Sequence, residues 1–86
     1  MMGVSELGER LYAVSERADK SIQNLERERN YILETMQRVQ NNFGDQQAGQ
    51  QLVLTLLCVI NSLAAADSTM NALRSRIGSY ISETRK

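Results

Sequence analysis

The chain has no proline, no tryptophan and no histidine, and only one cysteine and one phenylalanine. Each absence narrows what it can be. Without proline, no position forbids a helix by losing its backbone N–H. Without histidine, the commonest general acid–base group and metal ligand is missing. The single cysteine, Cys58, has no internal partner for a disulfide. A thiol in an apolar run behaves as a small hydrophobe, so Cys58 reads as a packing residue. An excess of charge of one sign is also lacking, since ten basic residues balance ten acidic ones. That leaves no field to draw in nucleic acid, and no basic patch is interleaved with aromatics.

One local absence matters most. About a quarter of the chain is charged, yet no charge occurs from Gln46 to Ala66. The stretch LVLTLLCVINSLAAA (52–66) could cross a membrane, fill a core or face a partner. A span needs roughly 20 predominantly apolar residues. This run starts at Leu52, meets Asn61 and Ser62, and is bracketed by glutamines and Asp67, so no membrane span is expected.

What is present is helical periodicity. In the first half Val4, Leu11, Ala18, Leu25, Ile32 and Val39 recur every seven residues, and Leu7, Val14, Ile22, Met36 and Phe43 supply a second row. That is a heptad stripe, broken at Glu28 and Arg29. In the second half Leu52, Leu56, Val59, Leu63, Ala66, Met70, Leu73, Ile77 and Tyr80 alternate steps of four and three, a matching seam. Between the halves lies NNFGDQQAGQQ. Gly44 suits a left-handed helix C-cap and Asp45 suits an N-cap.

These signals predict an all-α fold, an antiparallel two-helix hairpin occupying residues 1–86 as one domain. Helix 1 is expected at about 4–42, the turn at about 43–46 and helix 2 at about 46–83. Residue i lies roughly opposite 91 − i. Glu28 and Arg29 then fall near Asn61, either as a buried polar layer or as groups pointing to water. ADSTMN (66–71) is the weakest helical section, where Asp67 or Ser68 could cap a fresh helix.

A hairpin needs one apolar stripe per helix, and helix 2 has more. Outside its expected seam lie Val53, Leu54, Leu57, Cys58, Ile60 and Ala64. A helix apolar on every side is a buried helix. Leaving Val53, Leu54, Leu57 and Ile60 in water forgoes about 6–12 kcal/mol, at roughly 1.5–3 kcal/mol per side chain. Val53, Leu54, Leu57, Cys58 and Ile60 are therefore the expected partner-binding surface, on the half of helix 2 next to the turn. The occupant is a second protein or, in the isolated chain, another copy that completes a bundle.

No catalytic constellation is legible. Glu26 and Glu28 are two apart on a helix and face different ways. Gly44 and Gly49 follow no strand and precede no lysine, so they form no phosphate loop. Hydroxyls are present, but no histidine can activate them. The reading is a non-enzymatic protein with no cofactor, metal or small-molecule substrate. The acidic N-terminus MMGVSELGER lacks the basic start and apolar run of a signal peptide, so a cytoplasmic location is expected unless a leaderless route exports the chain.

SERADKSIQNLERERNYILE followed by NNFGDQQAGQQLVLTLLCVI resembles the small E component of type III secretion needle assembly. The resemblance covers residues 5–75: an Arg/Glu-rich first helix, a turn with Gly or Asp followed by glutamines, and a similar length. The chain departs from it in its tail, GSYISETRK, and in its highly apolar helix 2. The resemblance implies a co-chaperone that pairs with a helical-repeat partner and helps hold the needle subunit soluble and monomeric before export. A second resemblance is to the WXG100, or ESAT-6-like, proteins of type VII secretion, which implies an exported hairpin. Here Phe43-Gly44 stands where that family has Trp-x-Gly, and Glu83 follows Tyr80 one residue too early for its export motif. A third reading is a structural homodimer.

Overall fold

The computed structural model describes residues 3–84. Two helices make up the fold, α1 (Val4–Phe43) and α2 (Gln47–Thr84). They fold back on each other into an antiparallel hairpin measuring 61 × 21 × 14 Å. At 1.5 Å of rise per residue, forty residues account for that length with neither helix bending away.

Each helix runs unbroken because its polar residues are satisfied locally. Thr35, Thr55, Ser62 and Thr69 donate their hydroxyls to the carbonyl four residues earlier, at 2.9–3.1 Å. The weak section 66–71 is continuous helix. Asp67 does not cap a new helix there. Its backbone carbonyl and its carboxylate both accept from Asn71 Nδ2, at 3.1 and 2.7 Å.

The turn differs from the expected chemistry. Gly44 has φ −66° and ψ −19°, a right-handed conformation, so no left-handed cap closes α1. Asp45 makes no capping hydrogen bond. Glutamines take its place: Gln46 N–H donates to the Phe43 carbonyl at 3.1 Å, and Gln50 Nε2 donates to the Gly44 carbonyl at 3.0 Å. Gly49 is buried against the turn. A Cβ there would collide with the Phe43 carbonyl and lie 2.9 Å from the Phe43 Cβ. The missing side chain is what lets α2 start so close to the end of α1.

The seam is offset from the expected one. Inward positions of α1 are Leu11, Ser15, Ala18, Ile22, Leu25, Ile32, Met36 and Val39. Those of α2 are Gly49, Val53, Leu56, Ile60, Leu63, Asp67, Met70, Ile77 and Ile81. Both sets keep the alternation of three and four, so they are the a and d positions of a heptad. Val4, Leu7, Val14 and Phe43 of the expected α1 stripe are exposed. Leu52, Val59, Leu73 and Tyr80 of the expected α2 seam are exposed as well. The physical reason is a choice between two apolar rows. In α2 the row 52, 59, 66, 73, 80 is continuously apolar, whereas the row 53, 60, 67, 74, 81 contains Asp67 and Arg74. Sequence pattern favours the first, yet the second faces α1. There Arg74 reaches Asp19 of α1 at 3.4 Å, and Ser15, Asn71, Arg74 and Ser75 line one small cavity. Glu28, Arg29 and Asn61 are all exposed, so no buried polar layer forms between them.

Candidate partner-binding faces

An offset seam redistributes the residues left outside it. Of the five expected partner-binding residues, Val53 and Ile60 are half-buried against α1. They belong to the a row and pack inside the hairpin. Leu54 (62% exposed), Leu57 (41% exposed) and Cys58 remain on the surface. Leu57 is an e position, with Leu54 and Cys58 further round on the same side. Reversing one helix against the other brings like flanks together, so α1 contributes its own e positions here. Among them is exposed Leu33, opposite Leu57 in the register of the hairpin. The result is a short apolar face next to the turn, on what is called below the e flank.

The opposite flank carries a longer apolar row that the sequence pattern had assigned to the interior. Leu52, Val59, Ala66, Leu73 and Tyr80 are the g positions of α2. Their four large members are 39–48% exposed. On α1 the matching g positions Leu7 and Val14 are exposed too, towards the open end. Apolar surface is therefore not confined to the half of α2 next to the turn; it continues along one edge to Tyr80.

Little on either flank suggests chemistry. Among the described residues no cluster of His, Cys, Asp and Glu could hold a metal ion, and no buried side-chain polar atom lacks a partner. A groove of about 890 Å³ at the open end is lined by Val4, Ser5, Gly8, Glu9, Tyr12, Ile81 and Thr84, with Glu9 the one charged residue among them. By length and composition α2 is apolar enough to cross a membrane, and none of its most apolar window is buried in the hairpin.

The molecule belongs, on its fold, to the all-α two-helix hairpins. No family model, curated protein or solved structure matches the chain.

Proposed function

We propose that the chain is a non-enzymatic binding protein that docks a helical protein partner on its e flank, through Leu54, Leu57 and Cys58 of α2 with Leu33 of α1. One observation carries this reading. These residues are exposed after the hairpin has satisfied both of its own seams. Roughly half of each side chain's burial is still available, about 1–1.5 kcal/mol per leucine. A partner helix laid along the face collects it; water does not.

The finer reading is a cytoplasmic co-chaperone of type III secretion, in which the partner is a helical-repeat protein and the pair keeps a needle subunit soluble before export. Its support is the Arg/Glu-rich α1 and the Gln-rich turn. In the structure, Gln46 and Gln50 of that turn hold the two helices at their joint. An exported WXG100-like protein shares the hairpin shape. A membrane role meets a physical obstacle: inserting α2 as a hairpin would carry Glu26, Arg27, Glu28 and Arg29 of α1 to mid-bilayer depth. A span would require α2 to leave α1.

The experiment is co-purification from the native host, with identification of what accompanies the chain and the mass of the complex. Wild type is expected to bring down a helical partner, and Leu57→Asp to lose it while staying helical. Full retention of the partner by Leu57→Asp overturns the assignment. Fractionation of the same culture separates the two secretion readings. Intact protein in the medium, without lysis, replaces the co-chaperone reading with the exported one.

A further inference from the structure

The g flank is distinct from the partner face, and its pattern says what covers it. Its α2 row reads Leu52, Val59, Ala66, Leu73, Tyr80: small at the centre, larger towards both ends, uncharged throughout. Reversed and laid on a copy of itself, Leu52 meets Tyr80, Val59 meets Leu73 and Ala66 meets Ala66. Such a row is its own complement, which is the requirement of a two-fold interface. Its centre, Ala66, is also the midpoint of α2, whose bounds are Gln47 and Thr84. A two-fold axis at Ala66 therefore overlaps two hairpins along their whole length.

We propose that this flank binds a second copy of the chain, with α2 antiparallel to α2 about an axis at Ala66, giving a four-helix bundle. The same axis fixes how the α1 helices pair. Residue 25 lies opposite Ala66, so the same axis runs α1 antiparallel to α1 about that point. Across it Leu7 meets Asn42, Val14 meets Thr35, and Ser21 meets Glu28. Glu28 faces a hydroxyl, while at the neighbouring c positions Arg10 meets Arg38, so the α1 side of the interface is the weaker one. The other two-fold arrangement, with α1 of one copy on α2 of the other, sets Glu28 against Val59 and buries a carboxylate without a partner. The self-complementary α2 row and the cost of burying Glu28 select the first arrangement. In the bundle each α2 uses its a, d and g rows, the width of apolar stripe that a bundle helix needs. Tyr80 keeps its hydroxyl at the rim, where water reaches it.

The test needs the full chain alone. Sedimentation equilibrium of wild type is expected to give a dimer at micromolar concentration. Leu73→Glu places two charges in the interface and should weaken it roughly a hundredfold or more. Should Leu73→Glu lose its helical circular dichroism, a second measurement still decides. In a Cys58→Ser background, Ala66→Cys should oxidise to a disulfide-linked dimer, because residue 66 meets itself on the axis. Ala72→Cys, on the outer surface of α2, should stay monomeric on a reducing-agent-free gel. A monomeric wild type, or equal cross-linking of both cysteine variants, overturns the proposal. So does wild type that partitions onto lipid vesicles in place of dimerising. Leu57→Asp should leave the dimer intact, which separates failure here from failure of the e-flank reading.

Discussion

Gly49 and Gly78 illustrate how the same residue type does opposite things in one helix. Gly49 leaves room for the Phe43 backbone, which a methyl group would strike. Gly49→Ala must push the start of α2 off the turn, and overpacking of this kind costs about 1–3 kcal/mol. A melting curve should show the midpoint falling by roughly 4–8 °C per kcal/mol for a chain of this size. Gly78 is exposed in the last turns of α2, with nothing within 4 Å of an added Cβ. Gly78→Ala should raise stability by about 0.5–1 kcal/mol, since it removes backbone freedom from the unfolded chain and adds no contact. If both substitutions moved the midpoint the same way, the close approach at the turn would not be a constraint. Leu56 supplies the comparison at a seam position. Leu56→Ala deletes half-buried methylenes and should cost about 2 kcal/mol, at the low end for leucine because the site is not sealed.

At the scale of the element, the row of α2 that faces α1 carries two charged residues that would be absent from an optimal seam. Asp67 and Arg74 lie in the row that faces α1. Arg74 meets Asp19 with both side chains between 41% and 49% exposed. An ion pair so open to water is worth at most about 1 kcal/mol. Its value lies in register: it ties one point of α2 to one point of α1, and a wrong rotation of α2 would forgo it. Asp67→Leu should therefore raise the melting temperature, by adding buried apolar area of about 1 kcal/mol where a carboxylate now sits. Asp19→Asn should change stability by less than about 0.5 kcal/mol. Pairing Asp19→Asn with Arg74→Gln removes the ion pair without adding apolar area to the seam, and should let the fully apolar g row compete for α1, seen as doubled or broadened amide resonances. Sharp single resonances in that double variant would show that the ion pair plays no part in choosing the seam.

For the whole molecule, the two flanks predict different responses to concentration and to partner. An isolated hairpin is 61 Å long. Side-by-side dimerisation about Ala66 adds width and no length, so small-angle scattering should show the maximum dimension holding while the cross-section grows with concentration. An end-to-end assembly would lengthen it instead. Binding through the e flank adds mass on the other side, so a species of two hairpins and two partners is expected in native mass spectrometry. A single charge introduced on either flank should remove one association and spare the other.

Much of this was legible before any coordinates. Absence of proline, unbroken three–four spacing in both halves and a Gly-containing break between them determine two long helices and a short turn, because a forty-residue helix pair has one compact way to bury two stripes. The antiparallel arrangement follows from the shortness of the turn. The surplus of apolar residues in 52–60 likewise determined that α2 has more to bury than α1 can cover. Which residues belong to the seam and which to the surplus was not legible. In α2 the d row is flanked by two candidate rows, and rotation by one position exchanges them: Val53 and Ile60 go inward as Leu52 and Val59 go outward. Apolar count favours the wrong row. What decides is the match to α1, where Asp19 offers Arg74 a partner and Gly49 permits close approach to Phe43. Those are contacts between residues distant in sequence, so only the tertiary structure decides them, and with them which apolar residues remain free to bind.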